Sequence, residues 1–128
     1  MEKKILLIDD SKFFLKVLSD LLKEDFSVVT VDSGEKALDL LRTSDFNTPG
    51  GSEPFDLIIT DLMMPGLNGY DVAQFVKGEN RRNKFTPVIM VSGIDLTKEE
   101  TRSHGCATYI PKTNLKKIVS MARILLLR

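Results

Sequence analysis

Residues 55–69, which read FDLIITDLMMPGLNG, constrain the fold more than any other stretch of this chain. An apolar run at 57–59 leads to a single carboxylate, Asp61, and Pro-Gly and Asn-Gly pairs typical of turns follow it. Such a run indicates a strand that is buried on both faces. An acid at its tip needs a cation or a hydrogen-bond donor beside it, because an unpaired buried charge is costly. The stretch therefore predicts a parallel sheet with a polar site at one strand end.

Four other short apolar runs repeat this pattern, and segments with helical periodicity separate them. Five strands alternating with five helices predict an α/β fold, in which a parallel sheet carries helices on both faces and the crossovers are right-handed. The chain has 128 residues and no internal repeat, so we expect residues 1–128 to form a single domain. The four runs lie at residues 5–8, 26–31, 87–92 and 106–110.

The composition excludes several classes of protein. The chain has 18 basic and 18 acidic residues, and this balance argues against nucleic acid as a direct partner, since such domains usually carry a basic face. The single cysteine, Cys106, rules out an internal disulfide and fits a reducing compartment. The apolar run at 5–8 is too short for a secretory signal or a membrane span. We therefore expect a cytoplasmic protein with no membrane partner.

Three of the predicted helices have patterns that bear on function. The first has an inward stripe at i, i+3, i+4 and i+7, which leaves Phe13 and Leu15 on its flanks. The fourth, residues 97–104, contains no apolar residue, so we expect a short and loosely held helix. In the last helix, Met121 and Ile124 lie off the core stripe and indicate a contact surface. The inward stripe of the first helix is Phe14, Val17, Leu18 and Leu21.

Two connections are polar. Residues 43–54, TSDFNTPGGSEP, are longer than the usual connection of about 2–6 residues, and we interpret them as a long surface loop. The alternative is a partner-contact loop, in which Phe46 would dock. Residues 79–86 carry three basic side chains, which we interpret as a solvated face.

Polar side chains collect at the carboxyl ends of the predicted strands, where ligand sites of open parallel sheets lie. Asp9 and Asp10 follow the first strand, Asp61 ends the third, Ser92 ends the fourth and Lys112 follows the fifth. Three crowded carboxylates cannot all ionise cheaply without a cation among them. Their hard oxygen atoms favour Mg²⁺ or Ca²⁺, and a site that is open on one side and keeps several waters fits Mg²⁺ together with a phosphate-bearing substrate.

The same residues suggest a reaction. An aspartate can act as a nucleophile and form an aspartyl phosphate. Lys112 can pair with one phosphoryl oxygen and Ser92 can donate a hydrogen bond to another. The metal ion and the lysine would then offset the negative charge of the transferred group.

Together these motifs closely resemble the receiver domain of two-component response regulators, and the chemotaxis regulators in particular. The resemblance extends from Lys4 to the last helix. It includes the acidic pair after the first strand, the block DLMMPGLNG, the hydroxyl at Ser92, and Tyr109 three residues before Lys112. It implies a flavodoxin-like, doubly wound sheet with strand order 2-1-3-4-5.

The resemblance also implies a role for each acid. Asp61 would be the phosphoacceptor. Asp10 and Asp61 would bind Mg²⁺ directly, Asp9 would act mainly through water, and the backbone carbonyl of Met63 would be the remaining protein ligand. One position departs from the family pattern, because Thr113 follows Lys112 where the family commonly has proline after its lysine.

For the other site residues, the resemblance implies that Ser92 and Lys112 hold the phosphoryl oxygens. Ser92 would move toward the phosphate and Tyr109 would turn inward behind it. The signal would then appear on the face formed by the fourth helix, the fifth strand and the fifth helix, which is also a possible homodimer surface. We further expect slow phosphate loss, because Met63 and Ile94 are apolar and would hinder an attacking water.

The leading interpretation is therefore a signalling switch and not an enzyme beyond its own phosphorylation and slow dephosphorylation. A histidine kinase or phosphotransfer protein would dock at Phe13 and Leu15 and supply the phosphoryl group. The output would be a downstream protein or an effector domain that this sequence does not include.

Three alternatives stay open at this point. An aspartyl-nucleophile phosphatase would usually carry a second acid at the position of Met63. A flavin carrier would need glycine in the loop after the first strand, where the sequence is DDSK. A receiver-fold interaction module that signals without phosphorylation would not need the complete set of acids.

Overall fold

The structure is a computed structural model and describes residues 2–43, 54–80 and 83–127. In these residues five strands alternate with five helices, as predicted. Most of the predicted elements begin or end within a residue or two of the observed bounds. The elements are β1 (Lys4–Ile8), α1 (Lys12–Leu22), β2 (Ser27–Val31), α2 (Gly34–Thr43), β3 (Leu57–Asp61), α3 (Gly69–Gly78), β4 (Val88–Ser92), α4 (Lys98–Ser103), β5 (Thr108–Pro111) and α5 (Leu115–Leu126).

All five strands pair in parallel in the order β2-β1-β3-β4-β5, which confirms the fold class. The central strands β3 and β4 are buried along their whole length, whereas β2, at one edge, is only half-buried. The register pairs Asp61 with Val91 and Ser92 with Pro111. The carboxyl ends of the strands therefore meet at one edge of the sheet.

Helices cover both faces of the sheet, because alternate strand residues point to opposite sides. In β1, Ile5 and Leu7 pack with α1 and α5, whereas Leu6 and Ile8 pack with α2 and α3. Each face thus has its own apolar core. Among the described residues, every helix is too short or too polar to cross a lipid bilayer.

The inward face of α1 is rotated from the predicted stripe. Leu15, Leu18, Ser19 and Leu22 are buried, whereas Leu21 is 39% exposed. Leu15 is consequently a core residue, and its assignment to the partner surface is wrong. The consecutive apolar residues at 13–15 cover more than half a turn of the helix. Their spacing therefore allows two choices of the buried face, and packing against the sheet and α5 selects one of them.

The connection after α3 is not simply a solvated face. Asn80 and Asn83 are buried, and the side chain of Asn83 accepts a hydrogen bond from the backbone N–H of Phe55 at 2.8 Å. Asn80 Nδ2 donates to the carbonyl of Leu41 at 2.6 Å, and Thr86 Oγ1 donates to the carbonyl of Phe55 at 2.9 Å. We call Asn80, Asn83 and Thr86 the amide network. It lies at the amino-terminal edge of the sheet, opposite the carboxyl ends of the strands.

The fourth helix is as short as predicted, but it has contacts that the sequence did not reveal. Thr101 is fully buried, and the ring of His104 stacks on Tyr70 with centroids 3.8 Å apart and planes 9° apart. These contacts attach α4 to the core and to α3. Most of the loop predicted at 43–54, including Phe46, lies outside the described residues, as do Arg81 and Arg82 of the connection after α3.

Candidate functional site

The carboxyl-terminal edge of the sheet gathers the predicted acids. Asp9 directly follows β1, and its backbone N–H donates to the carbonyl of Val31 at 3.2 Å. Asp61 is the last residue of β3. Asp9 is fully buried and Asp61 is only 4% exposed, whereas Asp10 is exposed. The site thus has a buried floor of two carboxylates and a third carboxylate on its solvent side.

Lys112 reaches this floor from the segment after β5. Its Nζ lies 2.7 Å from Asp9 Oδ2 and 3.4 Å from Asp61 Oδ2. Its backbone N–H donates to the carbonyl of Ser92 at 3.0 Å, which continues the pairing of β4 with β5 and sets where the side chain starts. The predicted residues from four different strand ends are therefore brought together at one edge of the sheet.

The electrostatics of the site are unbalanced. Burial, and then the charge of Asp9, raise the pKa of Asp61 from 3.8 to about 6, although Lys112 opposes the shift. Burial also raises the pKa of Asp9 despite its contact with the lysine. For Lys112, burial would lower the pKa, but the contacts with both carboxylates together outweigh burial and raise it. One lysine does not compensate the three acids.

This shortage of positive charge fits a divalent cation. One carboxylate oxygen from each of Asp9, Asp10 and Asp61 can be chosen so that all three lie within 4.8 Å of one another. Carboxylate oxygens are the donors that Mg²⁺ accepts, and Mg²⁺ is commonly held by one or two carboxylates and several waters. The donor set thus suits the predicted ion. Met63, in the loop after β3, has an exposed side chain, and the metal-binding role of its carbonyl stays a prediction.

The loop that joins β3 to α3 is tightly held. Gly69 packs against the carbonyl of Asp61 so closely that a Cβ would not fit there. Asn68 and Asp71 form a reciprocal capping box, in which each side chain accepts a hydrogen bond of 2.9 Å from the other residue's backbone N–H. Gly66 has φ of 78°, a conformation that favours glycine. The turn residues next to Asp61 therefore fix the backbone that follows it.

The two predicted switch residues bond to the same neighbour. Ser92 is buried, and its Oγ accepts a hydrogen bond from the backbone N–H of Ile94 at 3.1 Å. The Tyr109 hydroxyl donates to the carbonyl of Ile94 at 3.0 Å. A displacement of the loop at Ile94 would thus act on both side chains, although their switching stays a prediction.

The predicted partner residues lie in different environments. Phe13, at the start of α1, is 80% exposed, and Ile124 on α5 is 64% exposed. Met121 is partly buried and packs against the core between α5 and the sheet, so it contributes less to a surface than predicted. Leu15, as described above, belongs to the same core. Phe13 and Ile124 are thus the predicted partner residues with freely accessible side chains.

One neighbour of the site was missed by sequence reasoning. The ring of Phe14 lies under the ammonium of Lys112, with Nζ 4.8 Å from the ring centroid. Its helical spacing predicted a place in the core stripe of the first helix, and the ring is in fact only partly buried at the margin of that core. The only available signal was an aromatic residue four positions after Asp10, on the first turn of α1.

Comparison with known proteins gives a consistent result. A family model described as the response regulator receiver domain matches residues 5–123. The two-component response regulator ORR4 of Oryza sativa subsp. indica is 41% identical over 100 residues, which cover 69% of this chain and 43% of ORR4. The transcriptional regulatory protein CpxR of Escherichia coli strain K12 is 36% identical over 129 residues, which cover 98% of this chain and 50% of CpxR. The chain thus spans half or less of the length of these relatives.

A solved structure agrees with these matches. The BeF3-activated receiver domain of DrrB, a Thermotoga maritima protein, superposes with a TM-score of 0.80 and 26% sequence identity, and the alignment covers 100% of both chains.

Proposed function

This chain belongs to the response regulator receiver domain family, and we propose that it is a Mg²⁺-dependent switch whose phosphoacceptor is Asp61. The observation that carries the proposal is the convergence of the Asp9 and Asp61 carboxylates on the ammonium of Lys112. A buried strand end with a nucleophilic acid, a cation and a further acid at the solvent side is what phosphoryl capture requires.

In the proposed transfer, an oxygen of the Asp61 carboxylate attacks the phosphorus of a phosphohistidine. The new P–O bond forms as the P–N bond breaks, and the electron pair stays on the imidazole nitrogen, which takes up a proton from solvent. The switch is reset by hydrolysis. Water attacks phosphorus and the P–O bond to Asp61 breaks, which releases inorganic phosphate and restores the carboxylate. No oxidation or reduction is involved.

The residues around Asp61 hold the charges of the transferred group. Mg²⁺ bound directly by Asp10, Asp61 and the carbonyl of Met63, and by Asp9 mainly through water, would supply positive charge beside the phosphoryl oxygens. Lys112 pairs with one phosphoryl oxygen. Its Nζ lies 3.4 Å from the carboxylate of Asp61, so it is already close to the position of the phosphoryl group.

The hydroxyl of Ser92 donates a hydrogen bond to another phosphoryl oxygen. Its Oγ accepts a hydrogen bond from the backbone N–H of Ile94, so movement of Ser92 toward the phosphate would also shift the loop that binds Tyr109. The rearrangement changes the face formed by α4, β5 and α5, which carries the exposed Ile124. That face then binds a downstream protein, an attached effector domain or a second copy of the chain.

We place the donor among histidine kinases and phosphotransfer proteins, in the cytoplasm, and its docking contact at Phe13. Phe13→Ala should slow transfer from a phosphohistidine protein and leave labelling by acetyl phosphate unchanged. Phe85→Ala is a matched control, because Phe85 is also highly exposed but precedes β4 at the opposite edge of the sheet. Equal losses with both donors would refute the docking role of Phe13.

We also propose that the phosphorylated form is long-lived. The side chains of Met63 and Ile94 are exposed and apolar, and neither can orient a water for attack. Met63→Asn should therefore shorten the lifetime. A parent lifetime of only seconds would contradict the proposal.

The main experiment is incubation with acetyl phosphate and Mg²⁺ followed by intact mass measurement. The parent should gain one phosphoryl group, whereas Asp61→Asn and the parent with chelator should gain none. Asp95→Asn is the control, since Asp95 is an exposed acid in the loop after β4 and should not affect labelling. An unlabelled parent would favour the alternative, an interaction module that signals without phosphorylation.

A further inference from the structure

Among the described residues, the ammonium of Lys112 contacts an aromatic ring as well as two acids. The carboxylates of Asp9 and Asp61 lie 2.7 and 3.4 Å from Nζ, and the centroid of the Phe14 ring lies 4.8 Å from it. That last distance is within the range of a cation–π contact, which attracts an ammonium to the face of an aromatic ring.

We propose that Phe14 is a positioning residue for phosphoryl transfer, because its ring holds the Lys112 ammonium beside Asp61. This inference rests on the proposed function for its role in transfer, but the contact itself does not depend on it. Lys112 is a flexible side chain with four carbons between Cα and Nζ, and it loses conformational freedom when it is held in one place.

The ring is well fixed for this task. Ser11 is the N-cap of α1, and its side chain accepts a hydrogen bond from the backbone N–H of Phe14 at 3.2 Å. The side chain of Phe14 is partly buried and packs against the core shared by α1, α5 and the sheet. A residue on the first turn of a capped helix has a defined direction, so the ring presents a stable face to Lys112.

The contact with Phe14 also differs in kind from the other two. The attraction of Lys112 to Asp9 and Asp61 changes when those acids bind a metal ion, a proton or a phosphoryl group. The ring carries no net charge and does not titrate, so its attraction for the ammonium persists through the cycle. We infer that Phe14 keeps Lys112 within reach of the phosphoryl oxygens after the acids have been neutralised.

The test replaces Phe14 with phenylalanines that carry one, two or three ring fluorines, introduced at this position alone. Fluorination weakens the negative face of the ring and changes its size little. Labelling of Asp61 by acetyl phosphate at saturating Mg²⁺ should slow with each fluorine, by about three- to tenfold over the series. The same series at Phe26, a fully packed ring of the same core, should not change the rate.

A second measurement detects the contact without phosphorylation. In the parent protein, the ε-methylene protons of Lys112 should show an upfield ring-current shift in NMR spectra recorded with chelator. Phe14→Leu should remove this shift and Phe14→Tyr should retain it, with labelling slowed only in the leucine variant. A purely structural role would affect both variants through stability alone.

The outcomes separate this inference from the proposed function. If the parent is not labelled on Asp61, the proposed function fails, and the ring-current shift still decides whether Phe14 holds Lys112. If the parent is labelled but the fluorinated proteins react at the parent rate, Phe14 is a core residue and the inference is overturned. Absence of the ring-current shift in the parent overturns it as well.

Discussion

The two edges of the sheet both bury polar side chains, but they do so with different chemistry. At the amino-terminal edge, the amide network consists of neutral groups that bond to one another and to the backbone of Leu41 and Phe55. At the carboxyl-terminal edge, Asp9 and Asp61 are also buried but share a single lysine. The described groups of the first edge have partners within the chain, whereas the second edge carries an excess of negative charge that a divalent cation would balance.

The difference shows how one fold separates stability from function. Buried neutral groups with partners contribute to stability, and removal of one leaves the others unsatisfied. Buried acids close to one another cost stability, and a protein keeps them where they bind or react. Substitutions at the two edges should therefore change stability in opposite directions, and four measurements test this contrast.

The largest effect is expected at the amide network. Asn83→Ala should lower the free energy of unfolding by about 2–4 kcal/mol, because Asn80, Thr86 and the N–H of Phe55 all lose a partner. Urea unfolding at pH 5 and pH 7.5, with and without Mg²⁺, should give the same loss. Asn83→Asp brings a charge into this edge, so its loss of unfolding free energy should instead become larger as pH rises. A loss for Asn83→Ala that depends on Mg²⁺ would show that the two edges are not independent.

The opposite sign is expected at the acid site. Asp61→Asn removes a carboxylate whose pKa is raised to about 6 by burial and by Asp9, so it should stabilise the chelated protein at pH 7.5 by about 2 kcal/mol. The same urea unfolding measurement checks this value. Destabilisation by Asp61→Asn would mean that the contact with Lys112 outweighs the repulsion, contrary to the imbalance described above.

The parent protein should lose stability as pH rises in chelator. Between pH 3.8 and about 6, folded Asp61 keeps a proton that the unfolded chain has released, so the contribution of Asp61 to stability is greatest below this window and declines through it. The raised pKa of Asp9 acts in the same direction. The expected decline is about 1–2 kcal/mol. Asp61→Asn should show a shallower pH profile, and a parent profile that rises over this window would exclude the predicted shift.

The smallest effect is that of the metal ion. At ten times its dissociation constant, Mg²⁺ should stabilise the parent by roughly 1.4 kcal/mol, because it binds the folded state and balances the acids. Asp10→Asn should reduce this gain, whereas Asp39→Asn, at an exposed acid on α2, should not. The check is the thermal midpoint as a function of Mg²⁺ concentration. Equal stabilisation of the parent and Asp10→Asn by Mg²⁺ would show that Asp10 does not take part in binding the ion.

Much of the acid site could be predicted from the sequence. The apolar runs before Asp9, Asp61 and Ser92 predict central strands, and parallel strands bring their carboxyl ends to one edge. The same pattern predicts that Lys112 lies nearby. The strand order, in contrast, could be predicted only through the family resemblance, because a run of apolar residues does not specify which strand lies next to it.

The remaining features depend on tertiary packing. Leu15 and Leu21 fit two helical phases equally well, and only the neighbouring core decides which one is buried. Asn83 is polar in a polar segment, so nothing in its surroundings along the chain predicted burial. Phe14 is apolar and close to apolar residues, and its position under an ammonium depends on a lysine 98 positions away in the sequence.

The backbone N–H of Ile94 donates to Ser92 Oγ, and its carbonyl accepts from the Tyr109 hydroxyl, so neither hydrogen bond depends on the identity of the Ile94 side chain. Under the proposed function, a different side chain at this position would change how quickly the phosphoryl group is lost and would leave both hydrogen bonds in place. The proposed function therefore predicts that timing and transmission can be adjusted separately at this one position.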